Sequence, residues 1–268
     1  MKYKFIKVDK QDHIATITLN RPEKMNALNS GLLSNFSDAL DDINADHDIN
    51  VVIVTGSDKA FSSGFDISPG RSHEDRPSTA NWAETHMAPR VIMKLWNIRQ
   101  PTISAVSGYA LAAGNVLAMT ADIVIAAESA VFGEPEIRHV AHSPAILLPY
   151  MIPFRHLHWL YYTGDMIDAR TAEKWNMVNK VVPDGQLLDE ARQVAERIAR
   201  VPAFAVQTMK RSIKGTYDKM GFPDAFEHHL MLRMIEGMTP DADKEALDTI
   251  REENGMHAFL EARDNQFR

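Results

Sequence analysis

The stretch from Pro101 to Glu136 reads PTISAVSGYALAAGNVLAMTADIVIAAESAVFGEPE. Its apolar run at 102–106 predicts a short buried strand, and the small residues at 107–114 predict a tight turn into an alanine-rich helix. A second apolar strand is predicted at 123–126, and the stretch ends on a carboxylate. Such a turn lets a ligand approach the backbone and offers it the unpaired N–H groups of a helix start. The stretch therefore predicts a site for a developing negative charge, with an acid or base beside it.

A similar pattern occurs upstream of this stretch. The run at 50–56 predicts another buried strand, and the segment AFSSGFDI at 60–67 places small residues directly after it. Two such turns on neighbouring strands would each offer one backbone N–H to the same oxygen atom. The alternative is tight packing of strand, turn and helix without any ligand.

The composition is that of an ordinary globular protein: 268 residues, of which 45% are hydrophobic and 24% charged. A formal net charge of −7 gives no reason to expect nucleic acid or an anionic membrane as a partner. The absence of cysteine excludes disulfides, thiolate nucleophiles and cysteine-bound zinc. The first residues, MKYKFI, lack the apolar core of a secretory signal. The uncharged run at 101–121 is long enough for a membrane span, but Pro101, Gly108 and Gly114 interrupt it. We therefore expect a cytoplasmic protein without a membrane span.

The pattern along the chain predicts a hairpin at 3–19 and a helix at 28–43 capped near Asn29, followed by alternating strands and helices as far as residue 127. Alternation of this kind is typical of a largely parallel sheet covered by helices. The polar segment 68–78 is predicted to be a loop. A helix is expected at 82–98, where Pro89 would kink it or divide it in two. Beyond Pro183, four helices are predicted, at 187–200, 203–220, 223–238 and 241–254.

Several segments occur in an order that resembles one protein family. They are LNRPEKMNAL at 19–28, AFSSGFDI at 60–67, PTISAVSGYA at 101–110, FGEPE at 132–136, LYYTGD at 160–165 and MVNKVVP at 177–183. In these segments the chain is similar to the crotonase superfamily, also called the enoyl-CoA hydratase/isomerase family. The resemblance covers nearly the whole chain. It does not select a reaction, because this family carries out hydration, isomerisation, hydrolysis, decarboxylation and dehalogenation on one scaffold.

The resemblance implies an α/β crotonase fold, in which repeated ββα units form a spiral core. Residues 1–200 would be the core domain that holds the acyl-CoA site, and 201–268 a helical C-terminal region that packs across subunits. The expected assembly is a homotrimer or a dimer of trimers. The expected substrate is an acyl-CoA thioester; its coenzyme A belongs to the substrate, and no other cofactor and no metal is expected.

By the same resemblance, the backbone N–H groups of Phe65 and Ala113 polarise the thioester carbonyl, and Glu136 is a catalytic acid or base. The family usually has glycine at the Ala113 position. Val116 is a larger departure, because it lies where the hydratases of this family place a second glutamate. Hydration needs two groups around one water molecule: one activates the water, and the other handles the transfer of a proton to the α-carbon. Valine can do neither.

Histidines are candidate replacements for the missing group. His139 and His142 follow Glu136 closely, and His86 lies in a helix that flanks the site in related proteins. For each of them the alternative is a surface or core histidine without a catalytic role. The spacing of His139 and His142 would suit a metal, but no third ligand is apparent. Glu134 is interpreted as a structural or solvated residue. Four more histidines are interpreted as surface or interface residues: His156, His158, His228 and His229.

Other residues are candidates for substrate binding. The resemblance assigns coenzyme A to the segments that contain Lys24, Ala27, Ser63, Gly64, Asp66 and Ile67. Candidates for its phosphates are Arg21, Lys24 and Arg71. Asn115 and Ser143 are candidates for a polar group of the substrate, and Trp82, Met87, Trp96 and Tyr109 are candidates for the wall of an acyl pocket or for the core.

These observations predict an acyl-CoA-processing enzyme of isomerase or lyase type that stabilises a thioester enolate, with Glu136 as acid or base. Three alternatives stay open. One is a 2-enoyl-CoA hydratase with a substitute second group, and another is a hydrolase of a β-diketone or thioester that uses a histidine. The third is an acyl-CoA-binding protein without catalysis.

Overall fold

The computed structural model describes residues 2–68 and 78–267, and the side chains of 2–68 and 87–267. The described strands are β1 Ile6–Gln11, β2 Ile14–Leu19, β3 Val51–Thr55, β4 Ala60–Ser62, β5 Thr102–Val106, β6 Tyr109–Leu111, β7 Ile123–Ala127, β8 Val131–Gly133, β9 Met166–Asp168 and β10 Lys180–Val182. The described α-helices are α1 Ser30–Ala45, α2 Ser78–Asn97, α3 Ala113–Met119, α4 Phe154–Thr163, α5 Ala169–Lys174, α6 Leu187–Ala199, α7 Ala203–Lys219, α8 Phe222–Met238 and α9 Ala242–Asn265.

The described strands form two sheets. One has six strands in the order β1-β2-β3-β5-β7-β10, and the other has four in the order β4-β6-β8-β9. In the larger sheet only the β1–β2 pair is antiparallel, and in the smaller one only the β8–β9 pair. The expectation of a largely parallel sheet is confirmed.

The chain alternates between the two sheets as it advances. The pairs β3–β4, β5–β6 and β7–β8 each place one strand in the larger sheet and the next strand in the smaller one, and a helix follows the first two pairs. This is the spiral of repeated ββα units that the sequence predicted. Because β4 and β6 are parallel neighbours, the turns that follow them lie at the same edge of the smaller sheet.

The inner strands of the larger sheet are buried on both faces. Successive residues of a strand point to opposite sides, so Val52 and Val54 pack in the main core, whereas Val51 and Ile53 pack in a second layer against α6. Burial of both faces explains why β3 is a continuous apolar run rather than an alternating one.

Most predicted elements are found close to their predicted positions. Helix α1 begins after Asn29, whose side chain accepts a hydrogen bond from the N–H of Leu32 at 2.8 Å, so the predicted cap is confirmed. Helix α2 is a single helix that includes Pro89, so a division there is excluded. Helix α9 continues beyond the predicted end at 254, after a break at Gly255, where φ is +84°. The predicted loop at 68–78 lies almost wholly outside the described residues.

The uncharged run at 101–121 forms β5, β6 and α3 rather than one long helix. Among the helices of the described residues, none is both long and apolar enough to span a bilayer.

Candidate active site

The turns after β4 and β6 lie against each other. Gly64 has φ of +97°, and a Cβ atom added to it would lie 3.0 Å from the Ala112 Cβ and 3.4 Å from the Ala113 nitrogen. A Cβ atom added to Gly114 would lie 2.2 Å from the Ser62 carbonyl oxygen, closer than any real side chain can come. The two turns therefore pack so closely that larger side chains at Gly64 and Gly114 would collide with the opposite turn.

Two backbone N–H groups in these turns have no acceptor among the described residues. Neither Phe65 N–H nor Ala113 N–H donates a hydrogen bond within the described part of the chain. Ala113 is the first residue of α3, where helical geometry leaves the N–H without an intrahelical partner. Ala112, directly before it, has φ of +51°, an uncommon conformation for a residue other than glycine. The two donors lie in adjacent turns and are available to a ligand.

Glu136 lies next to this region in a buried position. It belongs to a 3₁₀ turn, Pro135–His139, that directly follows β8, and only 7% of the residue is exposed. Both of its carboxylate oxygens are buried without a hydrogen-bond donor among the described residues. Burial raises the pKa of Glu136, while the positive charges of Arg233 and Arg263 oppose that rise. A buried carboxylate without bonded donors is able to accept a proton from a substrate.

Glu134 is also buried, so of its two interpretations, structural or solvated, the solvated one is wrong. It is 1% exposed, and its Oε1 atom accepts a hydrogen bond from Asn115 Nδ2 at 2.5 Å. Burial, followed by the charge of Glu136, raises its pKa well above the usual range. Asn115 therefore binds a carboxyl of the protein. The sequence analysis named Glu134 but did not predict its burial beside Asn115.

Val116, the residue after Asn115, is 3% exposed and belongs to the main apolar core. This position therefore has an apolar side chain in place of a carboxylate.

Tyr161, on α4, was not foreseen at the site: its hydroxyl is buried without a partner among the described residues. Burial and the charge of Glu134 raise its pKa well above the usual range.

Helix α8 packs against the segment that follows Glu136. Nε2 of His229 lies 2.5 Å from the carbonyl oxygen of Ser143, and Nε of Arg233 donates to the carbonyl oxygen of His142 at 3.3 Å. His229 is only 5% exposed, so of its two interpretations, surface or interface, the surface one is wrong. Arg233 was missed because α8 is remote from Glu136 in sequence, and only the packing of α8 brings the two together.

The two histidines after Glu136 contact C-terminal helices. The ring of His139 packs edge-on against Phe259 of α9, with 5.4 Å between centroids, and burial, followed by the charge of Arg263, lowers its pKa to about 4. His139 is therefore neutral near pH 7. His142 Nδ1 lies 2.9 Å from a carboxylate oxygen of Glu236. No cluster of three or more metal-binding side chains occurs among the residues whose side chains are described.

The family model for "Enoyl-CoA hydratase/isomerase" matches residues 9–268. The chain belongs to this family. A probable enoyl-CoA hydratase of Mycobacterium tuberculosis is 35% identical to it, over 100% of this chain and 99% of the relative. A crotonyl-CoA hydratase of Syntrophomonas wolfei is 32% identical, with the same coverage. The crystal structure of an enoyl-CoA hydratase/isomerase from Xanthobacter autotrophicus has a TM-score of 0.94 at 32% identity, and each chain is covered completely.

In this family member, the segments assigned to coenzyme A by resemblance lie side by side. Ser63 N–H donates to the Met25 carbonyl oxygen at 3.0 Å, and Leu28 N–H donates to the Gly64 carbonyl oxygen at 2.8 Å. The structure thus brings together the two stretches that contain Lys24, Ala27, Ser63, Gly64, Asp66 and Ile67. Whether they bind coenzyme A stays a prediction.

Arg21 and Asp66 have a structural role at this junction. The guanidinium of Arg21 contacts the Asp66 carboxylate at 2.6 Å and donates to the Ala27 carbonyl oxygen at 3.0 Å. Because these contacts hold the two segments together, Arg21 is a weaker candidate for a phosphate than the sequence analysis assumed.

The candidate acyl-pocket residues are dispersed. Trp96 packs against Tyr217 and Phe222, with both pairs of ring centroids 5.5 Å apart, so it is a core residue. Tyr109 and Met87 are exposed. The side chains of Trp82 and His86, and Arg71 as a whole, lie outside the described residues.

Proposed function

We propose that this protein acts on an acyl-CoA thioester and stabilises its enolate, with the N–H groups of Phe65 and Ala113 as the oxyanion site and Glu136 as the acid or base. The observation that carries the proposal is the buried Glu136 carboxylate, which has no bonded donor among the described residues. It follows β8, whose neighbour in the smaller sheet, β6, leads into the turn that contains Ala113. Family membership supports the substrate class.

The chemistry follows from these groups. The thioester oxygen accepts hydrogen bonds from Phe65 N–H and Ala113 N–H, which stabilise the charge that develops on it by a few kcal/mol for each donor. This makes the proton on the α-carbon or on a conjugated γ-carbon easier to remove. The Glu136 carboxylate accepts that proton and returns it to another carbon, so that the net reaction is an isomerisation.

Val116 is the reason to prefer isomerase or lyase chemistry to ordinary hydration. An apolar side chain in the core can neither activate a water molecule nor deliver a proton. A single carboxylate is sufficient to move a proton between two carbons, because it is the base in one half of the reaction and the acid in the other.

Hydration of a 2-enoyl-CoA is the second candidate, and the names of the relatives favour it, since several are probable enoyl-CoA hydratases and one is a crotonyl-CoA hydratase. In that case another group replaces the missing glutamate. A hydrolase that uses His139 or His142 is the third candidate, and acyl-CoA binding without catalysis is the fourth. We further propose a cytoplasmic homotrimer or dimer of trimers, in line with the resemblance on which that assembly rests.

The test is solvent exchange of acyl-CoA protons. In D₂O, we expect the protein to incorporate deuterium at the α- or γ-carbon of short enoyl-CoA thioesters, as measured by mass spectrometry. Glu136→Gln should lower the exchange rate by about 10²–10⁴-fold, since it removes the base, and should leave acyl-CoA affinity largely unchanged, since the N–H donors belong to the backbone.

Glu128→Gln is the matched control, because Glu128 is exposed and paired with Arg170 at the surface. Its exchange rate should equal that of the unmodified protein. The proposal fails if no acyl-CoA binds at millimolar concentration, or if Glu136→Gln exchanges protons at the normal rate. Release of free thiol would identify the hydrolase instead.

A further inference from the structure

The position of the Glu136 carboxylate depends on the short turn that carries it. No hydrogen-bond donor among the described residues holds either carboxylate oxygen, so the backbone of the turn Pro135–His139 sets where they lie. At the end of this turn Val140 has φ of +55° and ψ of +57°, which is unfavourable for a β-branched side chain. Such a conformation persists only where the surrounding structure holds it. The turn therefore needs an anchor outside its own backbone.

Arg138, inside the turn, provides contacts of this kind. Its side chain is 9% exposed, and all three nitrogen atoms of its guanidinium have partners. Nε donates to the carbonyl oxygen of Thr163 at 2.8 Å, Nη2 contacts the Asp165 carboxylate at 2.6 Å, and Nη1 contacts the Asp264 carboxylate at 3.5 Å. The guanidinium also lies 4.3 Å from the ring centroid of Phe267. Arg138 thus connects the turn to the end of α4 and to the end of α9.

Asp165 is itself fixed beside the start of the turn. It directly precedes β9, whose first residue, Met166, pairs with Gly133, the last residue of β8. Its second carboxylate oxygen accepts a hydrogen bond from Trp159 Nε1 at 3.1 Å. Because β8 leads into the turn, the contact between Arg138 and Asp165 closes the turn onto the strand from which it starts.

The loop between α4 and β9 packs directly against the turn. Gly164 has φ of +65°, and a Cβ atom added to it would lie 2.9 Å from Ile137 Cγ2 and 3.0 Å from Arg138 Nε. The absence of a side chain at Gly164 therefore allows this close approach, and the guanidinium of Arg138 fixes the turn in place against the loop.

We propose that Arg138 is a positioning residue for Glu136: its guanidinium fixes the turn Pro135–His139 against Asp165 and the end of α9, and so keeps the Glu136 carboxylate where it takes a proton from the substrate. Without these contacts the turn is free to adopt other backbone conformations. A displacement of about 1 Å is sufficient to cost about 100-fold in rate. The inference rests on the proposed function only for the statement that Glu136 is the base.

The first test measures deuterium incorporation into crotonyl-CoA. Arg138→Met keeps the apolar stem and lacks every donor, so the exchange rate at saturating crotonyl-CoA should fall about 10- to 100-fold. The half-saturating concentration should change little, because the contacts of Arg138 act on the turn and not on the thioester. Arg138→Lys keeps the charge and a hydrogen-bond donor, and it should regain part of the lost rate.

Arg99→Met is the matched control. Arg99, between α2 and β5, also binds backbone, since it donates to the carbonyl oxygens of Asn44 at 2.8 Å and Asp46 at 2.6 Å. This variant should lose stability to urea and keep the normal exchange rate. A normal saturating rate in Arg138→Met, a change in its half-saturating concentration alone, or an equal fall in Arg99→Met would overturn the inference.

The second test does not require activity. Exchange of backbone amide hydrogens, measured by mass spectrometry on peptides that cover residues 135–143, reports local opening of the turn. We expect faster amide exchange in this segment in Arg138→Met, an intermediate effect in Arg138→Lys and no change in Arg99→Met. If Arg138→Met leaves amide exchange in this segment unaltered, Arg138 does not hold the turn and the inference is wrong.

The two proposals can fail separately. If the unmodified protein incorporates no deuterium into enoyl-CoA thioesters, the proposed function is wrong, and amide exchange still decides whether Arg138 holds the turn. If Arg138→Met does not fold, Arg138→Lys and the double variant Asp264→Asn, Phe267→Leu take its place. A lower saturating rate in both would support the inference, and normal rates in both would refute it.

Discussion

The guanidinium of Arg233 lies 5.5 Å from the centroid of the Phe65 ring, a cation–π contact that connects α8 to the turn after β4. The same arginine places positive charge near Glu136. One residue of the C-terminal helices thus contacts the residue proposed as an oxyanion donor and influences the residue proposed as the base. The helical region is therefore part of the candidate site.

Replacement of Arg233 should change the pH dependence of activity. The positive charge of Arg233 lowers the pKa of Glu136, so Arg233→Met should raise that pKa further. Because the base must be ionised, the acidic limb of the exchange rate should move to higher pH, while the rate at its plateau changes less. Arg90→Met is the control, since Arg90 on α2 forms an exposed ion pair with Glu227 on α8, the helix that carries Arg233, and should leave the limb in place. An unchanged limb in Arg233→Met would show that its charge does not act on Glu136.

Val116 provides a test of the reaction type. The unmodified protein should hydrate crotonyl-CoA slowly, because loss of one acid or base typically costs about 10²–10⁴-fold. Val116→Glu should increase the hydration rate, measured as the loss of enoyl absorbance, and Val116→Gln, which has the same size and no carboxyl, should not. The longer side chain must fit a packed core, at a cost of about 1–3 kcal/mol in stability. Brisk hydration by the unmodified protein would identify hydratase chemistry with another second group.

His139 should make the protein sensitive to acid. Its pKa is about 4 in the folded protein and about 6.5 when unfolded, so the unfolded chain binds the proton more tightly. Its contribution to stability is complete above about pH 6.5 and is lost as the pH falls towards 4, by up to about 3 kcal/mol. We expect His139→Leu to lose less stability than the unmodified protein between pH 7 and pH 4.5, as measured by urea unfolding. Identical losses in the two proteins would contradict this assignment.

Gly114 should be intolerant of any side chain. A Cβ atom at this position would meet the Ser62 carbonyl oxygen at 2.2 Å, so Gly114→Ala must push apart the turns after β4 and β6. We expect a loss of about 1–3 kcal/mol in the free energy of unfolding, together with a loss of proton exchange. Gly185→Ala is the matched control, because a Cβ atom there has nothing within 4 Å. Equal stability of the two variants would mean that the turns separate without cost.

Much of the fold was predictable because its signals are local. The apolar run of β3, the cap at Asn29 and the small residues at 107–114 specify a strand, a helix start and a turn, each within a few residues of sequence. Their repetition predicted the alternation between strands and helices, and the order of the motifs predicted the family. The same reasoning made Glu136 a candidate, because it lies just beyond the second predicted strand, in a stretch that begins with a small-residue turn.

The sequence by itself thus determined the fold, the family and the absence of a carboxylate at Val116. Tertiary structure alone decided the burial of Glu134 and the presence of Tyr161, His229 and Arg233 at the site. These residues depend on the packing of α3, α4 and α8 around the turn after β8, contacts between elements far apart in the chain. Burial and the charges brought in by those helices shift the pKa values of the buried carboxyls, and no local pattern of residues records either quantity.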